Sequence, residues 1–253
     1  MPLLPAVLTL LLACSGGRHV REERVPVVVL AASSLTEAMG ALEAGFEKEH
    51  ANVDVQVSFA GSQVLRRQIE QGVTADVFAS ANEPHMEALV QAGLAGKPQT
   101  LASNELVVIV PTDDPAGVTS FDRLDRARRV VLGTENVPVG AYARQILAGA
   151  DATVGDGFGA RVLGNVVSEE SNVRLVRTKV ALGEADAAIV YRTDVDATVR
   201  VVPIPEALNQ RARYPIALLR AAPHAHQAER FVEYATSAEG RAILGAHGFV
   251  TGP

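Results

Sequence analysis

The sequence predicts an α/β fold in which short apolar strands form largely parallel sheets flanked by helices. From residue 25 onward, apolar runs of strand length alternate with stretches in which apolar residues recur at helical spacing, as at Leu35, Met39, Leu42 and Phe46. Hydrophobic residues make up 48% and charged residues 21% of the chain, which is enough apolar surface for a packed core. The 253 residues could form one large sheet, but two smaller domains fit that length better.

The first part of the chain is predicted to hold three strands, each followed by a helix. The strands are placed at residues 27–31, 53–59 and 76–80. The helices are placed from Leu35, from Val64 and over residues 83–92, where Gly93 ends the last of them.

The second part continues the alternation. Strands are predicted at residues 106–110, 130–132, 187–191, 199–202 and 216–219. Helices are predicted from Pro138, because proline is tolerated in a first turn, and over residues 172–182, 228–235 and 239–246. No internal repeat or low-complexity linker interrupts this order.

The N-terminus has the character of a secretion signal. Residues 1–13 are apolar but too short to span a bilayer as a stable helix. Leu11-Leu12-Ala13-Cys14 resembles a bacterial lipoprotein box, so residues 1–14 are predicted to be a signal peptide and Cys14 the lipidated first residue of the mature chain. Residues 15–24 would then be a polar tether to the membrane, and the protein would lie outside the cytoplasm. A plainly cleaved signal and a misassigned start site are the alternatives.

Composition excludes several classes of function. The net charge is −6 with no basic cluster beyond short arginine pairs, which argues against nucleic acid binding. Aromatic residues make up 4% of the chain and tryptophan is absent, so a platform that stacks sugars or bases is not expected. Cys14 is the only cysteine, which leaves no disulfide to place.

Four places in the sequence share one design, in which a strand or loop ends, small or hydroxyl residues follow, and a helix starts. They are Ser33-Ser34, Gly61-Ser62, Pro138-Val139-Gly140 and Ser171-Asn172-Val173. A helix start carries N–H groups without intrahelical acceptors and a partial positive charge, and it therefore attracts anions. Several such starts around one cleft would bind an oxyanion without any lysine or arginine.

Each of these features also has an ordinary structural explanation. Ser34-Leu35-Thr36-Glu37 fits a capping box, and Gly61-Ser62 fits a turn followed by a helix cap. Val139 and Val173 offer only backbone groups, and Tyr191 at the end of a strand could serve packing alone. The anion-site hypothesis therefore depends on all of them together.

An ordered set of motifs covering nearly all of residues 25–250 resembles the periplasmic molybdate-binding proteins of ABC transporters. The matching stretches are Ala31-Ala32-Ser33-Ser34-Leu35-Thr36, Phe59-Ala60-Gly61-Ser62, Ala75-Asp76-Val77-Phe78-Ala79-Ser80-Ala81, Asn136-Val137-Pro138-Val139-Gly140-Ala141-Tyr142-Ala143 and Ala188-Ile189-Val190-Tyr191.

The resemblance implies the type II periplasmic-binding-protein fold, with two α/β lobes joined by two crossover strands. Lobe I would comprise residues 25–101 and 216–253, and lobe II residues 102–215. The hinges would lie near residues 100–103 and 213–216. The protein would act as a monomer that captures its anion by hinge closure and delivers it to an ABC permease.

The resemblance also implies which groups hold the ligand. Ser34 and Ser62 would each give a hydroxyl and a backbone N–H, Val139 and Val173 a backbone N–H, and Tyr191 its phenol hydroxyl. No cofactor and no directly liganded metal ion are expected, because the molybdenum arrives inside the oxyanion. Asp76 would be a structural brace on the hinge side of its strand and not a ligand.

The expected ligands follow from their chemistry. Molybdate and tungstate are fully deprotonated tetrahedral dianions at neutral pH, which suits a site made only of donors. Monohydrogen phosphate carries a proton that needs an acceptor, and an unpaired buried group costs about 1–3 kcal/mol. Sulfate can be excluded only by its smaller size, and poor discrimination between molybdate and tungstate is expected.

The sequence leaves three other classes of function to consider, which are an enzyme, a metal-binding protein and a binding protein for another anion. A serine hydrolase needs the nucleophile motif Gly-x-Ser-x-Gly, but Val64 stands where Ser62 would need the second glycine, so no enzyme is expected. A metal site at His224-Ala225-His226 lacks carboxylate or cysteine partners at ligand spacing. The nearest alternative is a binding protein of the same fold for another oxyanion, such as sulfate or phosphate.

Overall fold

The structure is a computed structural model that describes residues 24–252. The predicted signal peptide of residues 1–14, the lipidation site Cys14 and all of the predicted tether except Arg24 lie outside the described residues. Within the described range, no helix has the length and apolar character needed to cross a membrane.

Helices and strands alternate along the chain as the sequence predicts. The strands are β1 (Val25–Ala32), β2 (Val53–Ala60), β3 (Val77–Ala79), β4 (Gln99–Pro111), β5 (Val130–Gly133), β6 (Val166–Glu170), β7 (Ala187–Tyr191), β8 (Val199–Pro203) and β9 (Arg211–Leu218). The helices are α1 (Thr36–Glu49), α2 (Ser62–Glu70), α3 (Glu83–Gln91), α4 (Pro138–Val154), α5 (Phe158–Gly164), α6 (Val173–Ala181), α7 (Ala225–Thr236) and α8 (Ala238–Ala246). Short 3₁₀ turns lie at Ser33–Leu35, Phe121–Arg126 and Arg192–Asp194.

The strands form two groups that share β4 and β9. In the first group β1 pairs in parallel with β2 and β3, and β3 pairs antiparallel with the end of β9. In the second group β5 pairs in parallel with β6 and β7, while the end of β4 pairs antiparallel with β7 and β8. The start of β4 pairs antiparallel with β9, which joins both groups into one continuous sheet in the order β2-β1-β3-β9-β4-β7-β5-β6. This is the predicted two-lobed fold, and β4 and β9 are its crossover strands.

The crossover strands are longer than the sequence predicts. β4 begins at Gln99 and not at residue 106, and β9 begins at Arg211 and not at residue 216. The added segments pair with each other, from Gln99 opposite Ile216 to Glu105 opposite Arg211, and the register shifts between Thr100 and Ala102. The predicted hinge segments lie in this paired region. The division into lobes at residues 101/102 and 215/216 stays a prediction.

The structure also contains α5 and β6, which the sequence did not predict. α5 follows Gly157, whose backbone is left-handed with φ of 73°. The Asp151 carboxylate accepts the N–H groups of Gly157 and Gly159 at 3.0 and 3.1 Å. The helix therefore starts on a side-chain cap supplied by Asp151 at the end of α4.

Asp76 is buried at the start of β3 and holds neighbouring backbone segments together. Its carboxylate accepts the N–H of Val28 and the N–H of His224, both at 2.8 Å. The opposite, carboxyl end of β3 leads to Ser80 and the candidate site described below. The predicted structural role of Asp76 agrees with its contacts, which tie β1 to the segment before α7. Its predicted place on the hinge side was wrong, because the hinge residue Pro215 pairs with Ser80 at the other end of β3.

Candidate functional site

A small cavity lies between the lobes, and all five residues predicted to bind the ligand line it. It is small: the space between its lining atoms, including solvent at its opening, is about 200 Å³. The lining residues are Ala32, Ser33, Ser34, Ala60, Gly61, Ser62, Ala81, Val137, Pro138, Val139, Asn172, Val173 and Tyr191. None of these side chains, within the described part of the chain, carries a charge.

Three α-helices begin at the cavity. Ser62 is the first residue of α2, Val139 the second of α4 and Val173 the first of α6. Helix geometry gives first-turn N–H groups no intrahelical acceptor, so these three groups are available to a ligand. The Asn172 side chain caps α6 by accepting the N–H of Leu175 at 3.1 Å. Three helix N-termini then place partial positive charge around one small volume.

Ser34 and Ser62 use their oxygens as acceptors toward the protein. Tyr214 donates its hydroxyl to Ser34 Oγ at 3.1 Å, and the N–H of Ala81 donates to Ser62 Oγ at 3.0 Å. Among the residues that the structure describes, neither serine side chain caps a helix, so the capping alternatives were wrong. Because a protein donor already occupies each oxygen, each hydroxyl proton is free to donate to an anion.

Tyr191 is buried at the end of β7, with 1% of its surface exposed. Its hydroxyl has no hydrogen-bond partner among residues 24–252. Burial raises the pKa of Tyr191 well above its usual value, so the phenol keeps its proton and remains a donor at neutral pH. A buried, unpartnered donor that lines the cavity is costly unless a ligand accepts its hydrogen bond.

Sequence reasoning did not assign a site role to Tyr214. This residue lies on β9, is fully buried and packs its ring edge-on against Tyr191, with centroids 5.7 Å apart. Through its bond to Ser34 it orients one of the predicted ligand donors. No local motif marks it, because its partner is 180 residues away.

The two lobes touch each other at the rim of the cavity. Gln63 Nε2 donates to the carbonyl oxygen of Ser171 at 2.8 Å, and His85 Nε2 lies 2.8 Å from the carbonyl oxygen of Asn136. A Cβ at Gly61 would lie 2.3 Å from the Ser171 carbonyl oxygen, which explains the glycine at that position. The two lobes are therefore in direct contact beside the cavity.

The alternative metal site finds no support in the geometry. Between residues 24 and 252, no three histidine, cysteine or acidic side chains are grouped so as to hold a metal ion. His226 is exposed, and His224 uses its N–H to contact Asp76.

Comparison with known proteins is consistent with this geometry. A model of the family described as "Bacterial extracellular solute-binding protein" matches residues 27–250. The chain belongs to this family. As a solute-binding protein it is not an enzyme, and binding proteins of this kind hold their ligand without a cofactor.

Named relatives of this solute-binding protein include molybdate-binding proteins, which confirms the resemblance read from the sequence. The molybdate-binding protein ModA of Mycobacterium tuberculosis is 39% identical over 228 residues, which cover 88% of this chain and 84% of that protein. The solved structure of the Azotobacter vinelandii periplasmic molybdate-binding protein has a TM-score of 0.76 at 21% identity, covering 90% of this chain and 100% of the other.

The fold alone does not identify the anion. The solved structure of the sulfate-binding protein SubI of Mycobacterium tuberculosis also has a TM-score of 0.76, at 18% identity, covering 89% of this chain and 86% of the other. The ligand must therefore be argued from the site.

Proposed function

We propose that this solute-binding protein captures molybdate, and tungstate equally, outside the cytoplasm and delivers it to an ABC permease. Two lines of support are its relation to molybdate-binding proteins at 39% identity and the cavity that contains the predicted donors. Ser34, Ser62, Val139, Val173 and Tyr191 are the proposed ligand-binding residues.

The observation that carries the proposal is that the cavity offers donors and no charge. The first residues of three helices and the hydroxyl-bearing Ser34, Ser62 and Tyr191 line one small cavity, where their N–H and O–H groups are the proposed donors. A fully deprotonated tetrahedral dianion can accept from all of them. Protonated phosphate would place its own donor against these donors, which costs about 1–3 kcal/mol for the unpaired group.

Sulfate is the second candidate, because it too is fully deprotonated and a sulfate-binding protein shares the fold. Size separates the two anions. Direct contact between the lobes at Gly61 and Ser171 limits further closure, so a smaller tetrahedron would lose contact with donors of one lobe. Molybdate and tungstate differ little in size, and similar affinities for both are expected.

Capture would occur by closure of lobe II onto lobe I about the crossover strands β4 and β9. The protein would act as a monomer. We also propose that Cys14 is lipidated and anchors the chain to the membrane, which rests on the sequence Leu11-Leu12-Ala13-Cys14 alone. The intact mass of protein extracted from membranes tests this proposal, and an unmodified mature chain that starts elsewhere would refute it.

The ligand is tested by thermal unfolding of the chain from Ser15 onward with molybdate, tungstate, sulfate or phosphate. A ligand that binds only the folded state at 1,000 times its Kd adds about 4 kcal/mol to the free energy of unfolding. We expect large, similar shifts of the unfolding midpoint with molybdate and tungstate, and small shifts with the other two. A shift with sulfate alone would transfer the proposal to sulfate, and no shift with any of the four would refute it.

The proposed closure is tested on the same samples by small-angle scattering. The radius of gyration should fall when molybdate is added, because the lobes approach each other. An unchanged radius at saturating ligand would contradict hinge closure.

A further inference from the structure

One charged side chain crosses between the lobes beside the cavity without entering it. Arg174 is the second residue of α6 and follows Val173, which lines the cavity from lobe II. Its guanidinium Nε donates to the carbonyl oxygen of Ser33 at 3.2 Å. Ser33 in turn precedes Ser34, a proposed donor from lobe I.

The same guanidinium binds a carboxylate of lobe I. Arg174 Nη1 donates to Glu37 Oε1 at 2.8 Å, and Nη2 donates to Glu37 Oε2. This is the two-pronged geometry in which arginine binds carboxylates most specifically. The hydrogen bonds from Arg174 are the main reason why the pKa of Glu37 lies below its usual value.

Arg174 is held from behind within its own lobe. Its side chain is 23% exposed, and Nε lies 3.1 Å from Asp194 Oδ1, although its N–H points at the Ser33 carbonyl. The guanidinium therefore lies beside Asp194 of lobe II while its N–H groups donate to lobe I.

The position of these contacts relates them to the ligand. On each lobe the contact lies one residue from a proposed ligand donor, Val173 on one side and Ser34 on the other. Glu37 neutralises the guanidinium, and Arg174 does not line the cavity, so it is not itself a ligand. A contact that forms only when the lobes meet stabilises the closed state and must break before the ligand leaves.

We propose that Arg174 is a positioning residue that latches lobe II to Ser33 and Glu37 of lobe I and so sets how slowly the bound anion is released. The proposal rests on the proposed function, because it takes molybdate as the ligand that the latch retains.

The structure offers a matched control for this latch. Arg177 lies one turn further along α6 and has a similar exposed fraction of 22%. Its guanidinium binds the Asp196 carboxylate and the Asp194 carbonyl oxygen, both in lobe II. Arg177→Gln removes the same charge from the same helix without touching lobe I.

The test compares molybdate binding by the wild type, Arg174→Gln and Arg177→Gln in stopped-flow and equilibrium titrations. Because the Arg174–Glu37 pair is partly exposed, we expect Arg174→Gln to raise koff about fivefold, with kon changed by less than about threefold. Arg177→Gln should change koff by less than about twofold. The ligand-free unfolding midpoints of the two variants should be similar, which separates the latch from a general loss of stability.

Two further results belong to the same test. Glu37→Gln should also raise koff, and adding it to Arg174→Gln should raise koff little further, since the two side chains act through one contact. Raising the salt concentration should speed release from the wild type more than from Arg174→Gln.

The outcomes separate the latch from the proposed function. Wild-type protein that binds no molybdate would overturn the proposed function and the latch with it. Wild-type binding with equal koff values for Arg174→Gln and Arg177→Gln would overturn the latch alone. A change in kon with an unchanged koff would also overturn it, because a latch acts on release.

Discussion

Replacing Ser34 and Ser62 together by alanine should abolish molybdate binding while the protein stays folded. Each substitution removes a hydroxyl whose oxygen already accepts a protein hydrogen bond and whose proton is therefore free for the anion. Hydrogen bonds to charged groups are worth about 1.5–3 kcal/mol each, so the pair should weaken binding by at least about a hundredfold. Isothermal titration with molybdate measures the loss.

The substitutions also affect the stability of the protein, so the free energy of unfolding is measured together with the molybdate affinity. Ser62→Ala removes the acceptor of the buried Ala81 N–H and should lower the free energy of unfolding by about 1–3 kcal/mol. Ser120→Ala with Ser168→Ala is the control pair, because neither serine lines the cavity. A folded Ser34→Ala/Ser62→Ala protein with wild-type affinity would refute the assignment of both residues.

Replacing Asp194 by asparagine should make the protein more stable at pH 8 and leave its stability nearly unchanged near pH 4. Asp194 is 1% exposed, and neither carboxylate oxygen accepts a hydrogen bond from residues 24–252. Burial raises the pKa of this carboxyl from 3.8 to about 7, although Arg174 and Arg177 act in the opposite direction. The ionised form is therefore the unfavourable one in the folded state.

The direction of the pH dependence follows from proton binding. Between about pH 4 and pH 7 the folded state binds the Asp194 proton and the unfolded state does not, so stability falls as the pH rises through this window. Above pH 7 both states are ionised and the loss is complete, on the order of 2–4 kcal/mol. Asparagine carries no charge and removes this contribution. Urea unfolding of both proteins at pH 4, 5, 6, 7 and 8 measures the difference.

Asp186 provides the opposite case in the same lobe. It too is buried, but its carboxylate accepts the N–H groups of Arg128 and Arg129 at 3.0 and 2.9 Å and pairs with the Arg129 side chain. Asp186→Asn should therefore destabilise the protein at pH 8, where Asp194→Asn stabilises it. An Asp194→Asn protein less stable than the wild type at pH 8 would contradict the inference that the buried, ionised Asp194 carboxylate destabilises the folded state.

Local patterns in the sequence were sufficient for most of the fold. Alternating apolar runs located all strands except β6, and the helical spacing of apolar residues located all α-helices except α5. The helix starts at Pro138 and Val173 were also readable, because a first-turn proline and the cap Asn172 act within one turn of the chain. For the same reason the candidate donors Ser34, Ser62, Val139, Val173 and Tyr191 could be proposed from motifs.

The sequence by itself thus determined the α/β order of the chain and the helix starts and hydroxyls that could bind an anion, since these depend on neighbouring residues. Only the tertiary structure decided how the donors converge and what orients them. The pairing of Gln99 with Ile216, the bond from Tyr214 to Ser34 and the contact of Arg174 with Glu37 all join residues more than a hundred positions apart. Such contacts leave no local pattern, because each partner is satisfied only by a residue that the fold brings from a distant part of the chain.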